Sequence, residues 1–388
     1  MEKTCDYDIC TGCGACSTVC PKHCISFFEG KMGHLLPKID TSLCIDCKKC
    51  ERVCPALKDN GMCYPESAHA AVALNRDEYV TSTSGGASHC LAEMIIERGG
   101  AVYGCSCKQG AEIEHIRIDK SQDLHKIKGS KYVQSKAWVI YQQLIDDVKK
   151  NKPVLFLGTP CQCAAVKSLF MKTPENLLLV DIICHGVPSN KFLKEYLASN
   201  VADLKRIDDV RFRENSEYVI SAITYSSNES KEVLYKGTPL FTSLKDDGYL
   251  GPFFYGFDSR DCCHACKFAK PERCTDITIG DFWGLGSMNP PVDKSQYDSG
   301  VSVILTNTEK GRAFVEKLHG LMNMTPRPVE EAINGNDQLR HPKRVNRSIW
   351  LFRAVEPLMG IEKAYWTITV PQRLGYKLLK PILSKREK

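Results

Sequence analysis

The chain has 388 residues, a formal net charge of +6, and 43% apolar and 25% charged residues. That length points to two or three domains and the apolar share to packed cores. The mild, dispersed charge, with no basic run interleaved with aromatics, excludes the usual signature of nucleic-acid binding.

Cysteine is the outlier, with 21 residues. A secreted disulfide scaffold would be short and would start with a signal peptide; the first residues here carry no apolar run. No stretch approaches the roughly 20 apolar residues that cross a bilayer. The cysteines therefore read as metal ligands in a reducing compartment, and the expected location is cytoplasmic.

The first elements are two cysteine runs. Cys10, Cys13, Cys16, Cys20 and Pro21 recur, each 34 positions on, as Cys44, Cys47, Cys50, Cys54 and Pro55. The spacing within each run is that of bacterial ferredoxins, in which the fourth cysteine ligates the other cluster. Three thiolates two residues apart wrap one face of a cubane, and the fourth faces away from it. This predicts two 4Fe-4S clusters, one held by Cys10, Cys13, Cys16 and Cys54, the other by Cys44, Cys47, Cys50 and Cys20. Gly12 and Gly14 leave room for close backbone approach. A pair of zinc sites is the competing reading, but zinc has no use for a repeated x3-Cys-Pro element. Cys5, Cys24 and Cys63 fall outside the pattern and read as bystanders.

After Pro65 strand and helix signals alternate. Residues 68–74 read as a buried strand, Ser82 to Gly86 as a loop, 87–98 as a helix and 100–104 as a strand. A Ser/Gly loop leading into a helix N-terminus favours phosphate, although a plain helix cap explains it equally. The segment from Gly129 to Ser135 places Lys131 and Tyr132 where one could neutralise a phosphate and the other stack on a ring; an ordinary basic turn is the alternative.

Residues 153–158 and 177–183 are short apolar strands running into Thr159-Pro160-Cys161-Gln162 and Cys184-His185-Gly186, each followed by a helix. Such strands predict a parallel sheet covered on both faces, whose carboxyl-end loops share one rim. Cys161 and Cys184 should then converge. Cys263 and Cys266 have ligand spacing and would complete four thiolates for a third 4Fe-4S cluster. Cys262 or Cys274 could replace Cys263, and a structural zinc or buried cysteines acting as small hydrophobes would also fit.

In this order, the Cys-rich run, Ser-Thr-Ser-Gly-Gly (82–86), Gly-Ser-Lys-Tyr-Val-Gln-Ser (129–135), Gly-Thr-Pro-Cys-Gln (158–162), Ile-Cys-His-Gly-Val-Pro-Ser (183–189) and Asp-Ile-Thr-Ile-Gly-Asp-Phe-Trp-Gly (276–284) resemble the family formed by the beta subunits of coenzyme F420 hydrogenases and dehydrogenases, over about Cys10 to Gly286. The resemblance implies an FAD-binding domain with its own 4Fe-4S cluster, coupled to the ferredoxin-type domain. It also implies flavin-region roles for Ser84, Gly85, Gly86, Lys131 and Tyr132. Family members exchange a hydride between a 5-deazaflavin and FAD. Others are single-chain proteins associated with surface-polysaccharide genes, so the expected partner is coenzyme F420, another small hydride donor or acceptor, or a redox protein. An electron carrier without substrate chemistry is the alternative function.

The fold class expected is α+β: a two-cluster ferredoxin-type domain over 1–63, an α/β domain with a mainly parallel sheet over 64–300, and an extension over 301–388. That extension is basic, and its last residues, 371–388, mix leucines and lysines at near-helical spacing. They could lie on an acidic membrane surface or form a solvated helix.

Overall fold

The computed structural model describes residues 2–369 apart from 215–216, 227–229, 241–246, 294–296 and 298. The expected amphipathic end at 371–388 lies outside the described residues.

The N-terminal lobe contains α1 (Ala15–Thr18), β1 (Ile25–Glu29), β2 (Leu35–Ile39) and α2 (Lys49–Arg52), with β1 and β2 antiparallel. The duplication read from the cysteines extends to the backbone. α1 and α2 stand at equivalent places of the two loops, and the residues at both matching pairs of positions have positive φ: Gly12 (64°) with Asp46 (49°), and Gly14 (76°) with Lys48 (60°). Two left-handed residues with one residue between them turn each loop back tightly on its own cysteines. The second copy holds this conformation with non-glycine residues, at some steric cost.

The rest of the chain is built on an eight-stranded sheet. Its strands are β3 (Ser67–Ala73), β4 (Ala101–Lys108), β5 (Glu112–Ile118), β6 (Val154–Gly158), β7 (Leu177–Ile182), β11 (Ile277–Asp281), β12 (Ser302–Thr306) and β13 (Met322–Arg327), in the order β13-β3-β12-β11-β7-β6-β4-β5. The four central strands, β11, β7, β6 and β4, are parallel, as the apolar runs predict; antiparallel pairs flank them on both sides. A second sheet is formed by β8 (Asp209–Glu214), β9 (Glu217–Tyr225) and β10 (Lys231–Lys236), with β9 in the middle. Helices around these sheets include α3 (Arg76–Thr81), α4 (Ala87–Glu97), α5 (Tyr141–Lys149), α6 (Pro160–Ser168), α7 (Asn190–Ala198), α8 (Leu250–Tyr255), α9 (Glu309–Val315), α10 (Val329–Gly335) and α11 (Ile349–Met359).

Period-two alternation sorts the central strands between two cores. Val102, Leu155 and Val180 face one apolar cluster with Leu91 and Ile95 of α4. Tyr103, Phe156 and Leu179 face another with Tyr141, Leu144 and Val166. Cys13 and Ala15 join this second cluster, and Phe27 stacks on Trp138 at 4.5 Å. The ferredoxin-type lobe is thereby packed on the α5–α6 side of the sheet.

The boundary expected at residue 300 runs through this sheet. β12 pairs with β11 and β3, and β13 pairs with β3, so residues 301–327 continue the sheet rather than begin a separate extension. The cause is a long-range pairing that no local pattern announces.

A buried ion pair ties the loop before β11 to β7. Arg273 Nη2 lies 2.5 Å from Asp181 Oδ2, with both side chains almost fully enclosed, and Arg273 Nη1 donates to the Phe268 carbonyl. Removing one partner strands a charge in the interior. Arg273→Met is expected to lower stability by about 3–5 kcal/mol, read by chemical denaturation of the full chain.

Candidate cofactor sites

The two thiol sets expected to cross between the loops are brought together as the spacing requires. Cys20, Cys44, Cys47 and Cys50 line one small cavity of about 20 Å³. Cys10 and Cys54 pack in one buried cluster, and Cys10, Cys13 and Cys54 are electrostatic neighbours of Cys16. The cavity at the first set is closed down to about the space of one water, so the case for a cluster there rests on the repeat and its backbone.

Two of the expected bystanders stand closer than the sequence shows. The Cys5 thiol hydrogen-bonds toward Cys10 and Cys54, and Cys24 Sγ lies 3.4 Å from Cys20 Sγ. Hydrogen bonding to Cys5 holds the Cys10 thiol low, and the Arg260 guanidinium adds to the effect. Cys63 is exposed. The buried Thr4 hydroxyl faces both Cys16 and Cys50.

Because β6, β7 and β11 run parallel, the segments leaving their carboxyl ends meet at one rim. Thr159 caps α6 in a capping box with Gln162, and Pro160 stands at its first position, placing Cys161 in the first turn. Cys184 follows β7. The turn over Asp261–Ala265 delivers Cys262, Cys263 and then Cys266. These five cysteines line one cavity of about 250 Å³, together with Arg260, Phe268, Arg273, Gln338 and Lys343. Cys274 is not on its wall; it packs against Ala164 and Phe268. The convergence argued from strand order is thus present, and both Cys262 and Cys263 reach the wall.

A water occupies about 10–15 Å³ by a comparable measure, so this space is far larger than one ion. Among the described residues, no group of three or more Cys, His, Asp or Glu side chains is gathered for a single metal ion. Burial pushes the Cys161 thiol well up, with Cys184 adding to it, and burial and Cys263 push Cys184 up to about 12. Buried thiols that oppose one another's ionisation fit a core that brings positive charge. Soft sulfur donors around a wide, largely apolar space suit an iron–sulfur cluster better than one zinc ion.

A second cavity, about 180 Å³, opens on the other side of Cys184. Ser84, Gly86, Lys131 and Tyr132 line it, with Tyr218, Phe253, Phe254 and Trp283 as aromatic walls. Gly85 is not on the wall; its α-carbon is pressed against β3, where a Cβ would stand 2.0 Å from the Ala71 carbonyl oxygen. Gly86 (φ 87°) is the N-cap of α4, and the Ser84 hydroxyl is buried without a hydrogen-bond partner among the described residues. The Lys131 ammonium is almost wholly enclosed and held 3.1 Å from Asp209 Oδ1, so part of its charge is already matched. Tyr132 stacks on Phe253, ring centroids 5.2 Å apart. Serine hydroxyls at a helix N-terminus, a lysine and aromatic walls fit a phosphate-bearing ring cofactor such as FAD.

The two cavities share Thr159, Cys184, Gly186 and Val187 in their walls. On its far side the thiol cavity meets the ferredoxin-type lobe through Arg260. Its Nε donates to the Cys10 carbonyl at 2.6 Å, Nη2 to the Leu35 carbonyl at 2.9 Å, and Nη1 to Gln134 Oε1 at 2.9 Å. Gln134 in turn donates to the Thr11 carbonyl. Sequence reasoning missed Arg260 and Lys343. No local pattern marks either, and only Arg260's closeness to Cys263 could have drawn attention to it.

Duplicated cysteine loops beside a thiol-walled cavity at a sheet rim are the arrangement of an iron–sulfur protein. Two segments of the chain match known protein families. Residues 9–57 match the 4Fe-4S dicluster domain, and residues 151–330 match the C terminus of the coenzyme F420 hydrogenase/dehydrogenase beta subunit. The F subunit of the curated F(420)H(2) dehydrogenase from Methanosarcina mazei is 22% identical over 226 residues, 54% of this chain and 64% of that protein, so the match spans a little under two thirds of that relative. A chain in the xenon-derivatised F420-reducing [NiFe] hydrogenase complex from Methanosarcina barkeri overlays with a TM-score of 0.43 at 16% identity, covering 72% of this chain and 92% of that one. Residues 151–330 are thus similar to the C-terminal part of coenzyme F420 hydrogenase/dehydrogenase beta subunits, and residues 9–57 to a 4Fe-4S dicluster domain.

Gly85→Ala drives a methyl into the Ala71 carbonyl and the Ser302 amide. It is expected to lower stability by about 1–3 kcal/mol, seen as a reduced thermal midpoint.

Proposed function

We propose that the chain is an iron–sulfur flavoprotein oxidoreductase that passes electrons between a hydride donor or acceptor, FAD in the Ser84–Lys131–Tyr132 cavity, a 4Fe-4S cluster at Cys161, Cys184, Cys263 and Cys266, and two clusters in the N-terminal lobe. The observation that carries this reading is Cys184, which stands in the wall of both cavities. When bound, FAD accepts or gives a hydride and exchanges its two electrons singly, the form in which iron–sulfur clusters take them.

The chain's own residues supply position and charge. Ser84 and the α4 N-terminus offer donors to phosphate. Tyr132, Phe253 and Trp283 exclude water from a ring. Lys343, half-buried, faces Cys184 and Cys263 and offsets negative charge on that side. Arg260 spans from the same cavity to Cys10, and Thr4 lies between Cys16 and Cys50, so polar contacts run from the sheet rim to the outermost thiol set. Cys44, Cys47 and Cys50 are partly exposed, which makes that set the side for a redox partner protein.

The hydride partner is proposed to be coenzyme F420 or another small molecule. A second reading, an electron carrier without its own substrate, lacks a use for the aromatic cavity. Anaerobically reconstituted protein with a yellow flavin spectrum that is bleached by reduced deazaflavin or nicotinamide supports the enzyme; brown clusters with no flavin support the carrier.

Cys161→Ala and Cys184→Ala are each expected to remove one cluster's worth of iron and leave the N-terminal pair intact. Iron analysis with electron paramagnetic resonance checks this, and unchanged iron in both variants defeats the third site. Lys131→Ala is expected to weaken flavin retention on gel filtration, and full occupancy there counts against its role.

A further inference from the structure

One apolar surface belongs to neither cavity nor to the N-terminal lobe. On α11, Trp350 is 69% and Leu358 83% exposed, with Leu351 and Met359 more than a third exposed and Ala354 exposed between them. Residues 350, 351, 354 and 358 recur at helical spacing, so they form one outward stripe. The opposite side of α11 is spoken for: Phe352 is fully buried and packs on Phe257 at 5.1 Å, and Arg353 pairs with Asp261 at 2.6 Å. The helix is therefore held firmly, with a large apolar face turned to solvent. Such contiguous exposure on an ordered helix marks a contact surface.

Charge identifies the contact. Residues 340–388 contain 12 of the chain's 52 lysines and arginines but only 3 of its 46 acidic residues, so the remainder of the chain is slightly acidic. Arg344, Arg347 and Lys363 are exposed on either side of the stripe. Aromatic and leucine side chains flanked by basic residues are what a helix lying in the plane of a bilayer presents to headgroups and upper acyl chains, and juxtaposed basic residues add attraction to anionic lipid.

We propose that α11 is a peripheral docking face for an anionic lipid bilayer, with Trp350 and Leu358 entering the interface and Arg344, Arg347 and Lys363 resting on the headgroups. Arg353 and Asp261 would then hold the Cys262–Cys266 turn one helix width from the membrane surface. The proposal does not depend on the cofactor assignments, since vesicle binding is measured without turnover.

The test is co-sedimentation of the full-length protein with vesicles of phosphatidylglycerol mixed into phosphatidylcholine, and with phosphatidylcholine alone. Binding to the anionic vesicles that weakens with added salt, together with a blue shift of tryptophan emission that Trp350→Phe abolishes, is the expected result. Replacing Trp350 and Leu358 together by serine should lower the partition coefficient about tenfold or more, with circular dichroism and iron content unchanged. Three outcomes overturn the proposal: no binding to anionic vesicles at physiological ionic strength, binding that the double serine variant leaves unchanged, or a self-associated chain that the double variant makes monomeric. The last would assign the stripe to a second copy, and stable binding to an acidic redox protein with none to vesicles would assign it to a protein partner.

Discussion

The architecture turns on a problem of charge. Thiols crowded into a buried space resist ionisation, through desolvation and through one another, and only a positively charged core relieves this. The chain creates that situation by two unrelated routes. In the N-terminal lobe, alternating left-handed residues at 12 and 14, and again at 46 and 48, curl a short loop around its own cysteines. At the sheet, parallel strands bring Cys161 and Cys184 to one rim, where the 261–266 turn closes the cavity. The first route is local and repeats; the second is assembled from segments about a hundred residues apart.

Fixed cations complete both. Arg260 stands in the wall of the thiol cavity and hydrogen-bonds to the Cys10 and Leu35 carbonyls and to Gln134, and Lys343 arrives from the C-terminal part of the chain to face Cys184 and Cys263. Arg260 is buried, which is costly for a positive charge without a negative counterpart, and Lys343 is half-buried. Lys343 has Asp258 as an electrostatic partner, but both carboxylate oxygens of Asp258 lack a hydrogen bond among the described residues. A cluster carrying net negative charge would make these placements favourable. Gln134 shows the same economy of design, joining Arg260 to the Thr11 carbonyl from a segment whose other end, at Lys131 and Tyr132, lines the aromatic cavity.

What could be read from the sequence follows the range of the interactions involved. The dicluster loops were legible because their spacing and their backbone are local and duplicated. The rim was legible because apolar strands alternating with helices imply parallel order, and parallel order implies convergence. Three features were hidden. β12 and β13 close the sheet from beyond residue 300, through pairings to β3 more than two hundred residues away. Arg260 and Lys343 carry no pattern of their own. Gly85, named for contact with a cofactor, serves by its missing side chain against β3 and leaves the cavity wall to Ser84 and Gly86.

The proposed function requires that these thiol sets hold iron and inorganic sulfide beside a flavin. The most direct measurement is iron, acid-labile sulfide, zinc and flavin quantified together on one anaerobic preparation of the full chain. Iron and sulfide in equal amounts, matching three 4Fe-4S clusters, with one flavin per chain, are the expected result. Colourless protein with zinc and no sulfide, after attempted cluster assembly, would contradict it.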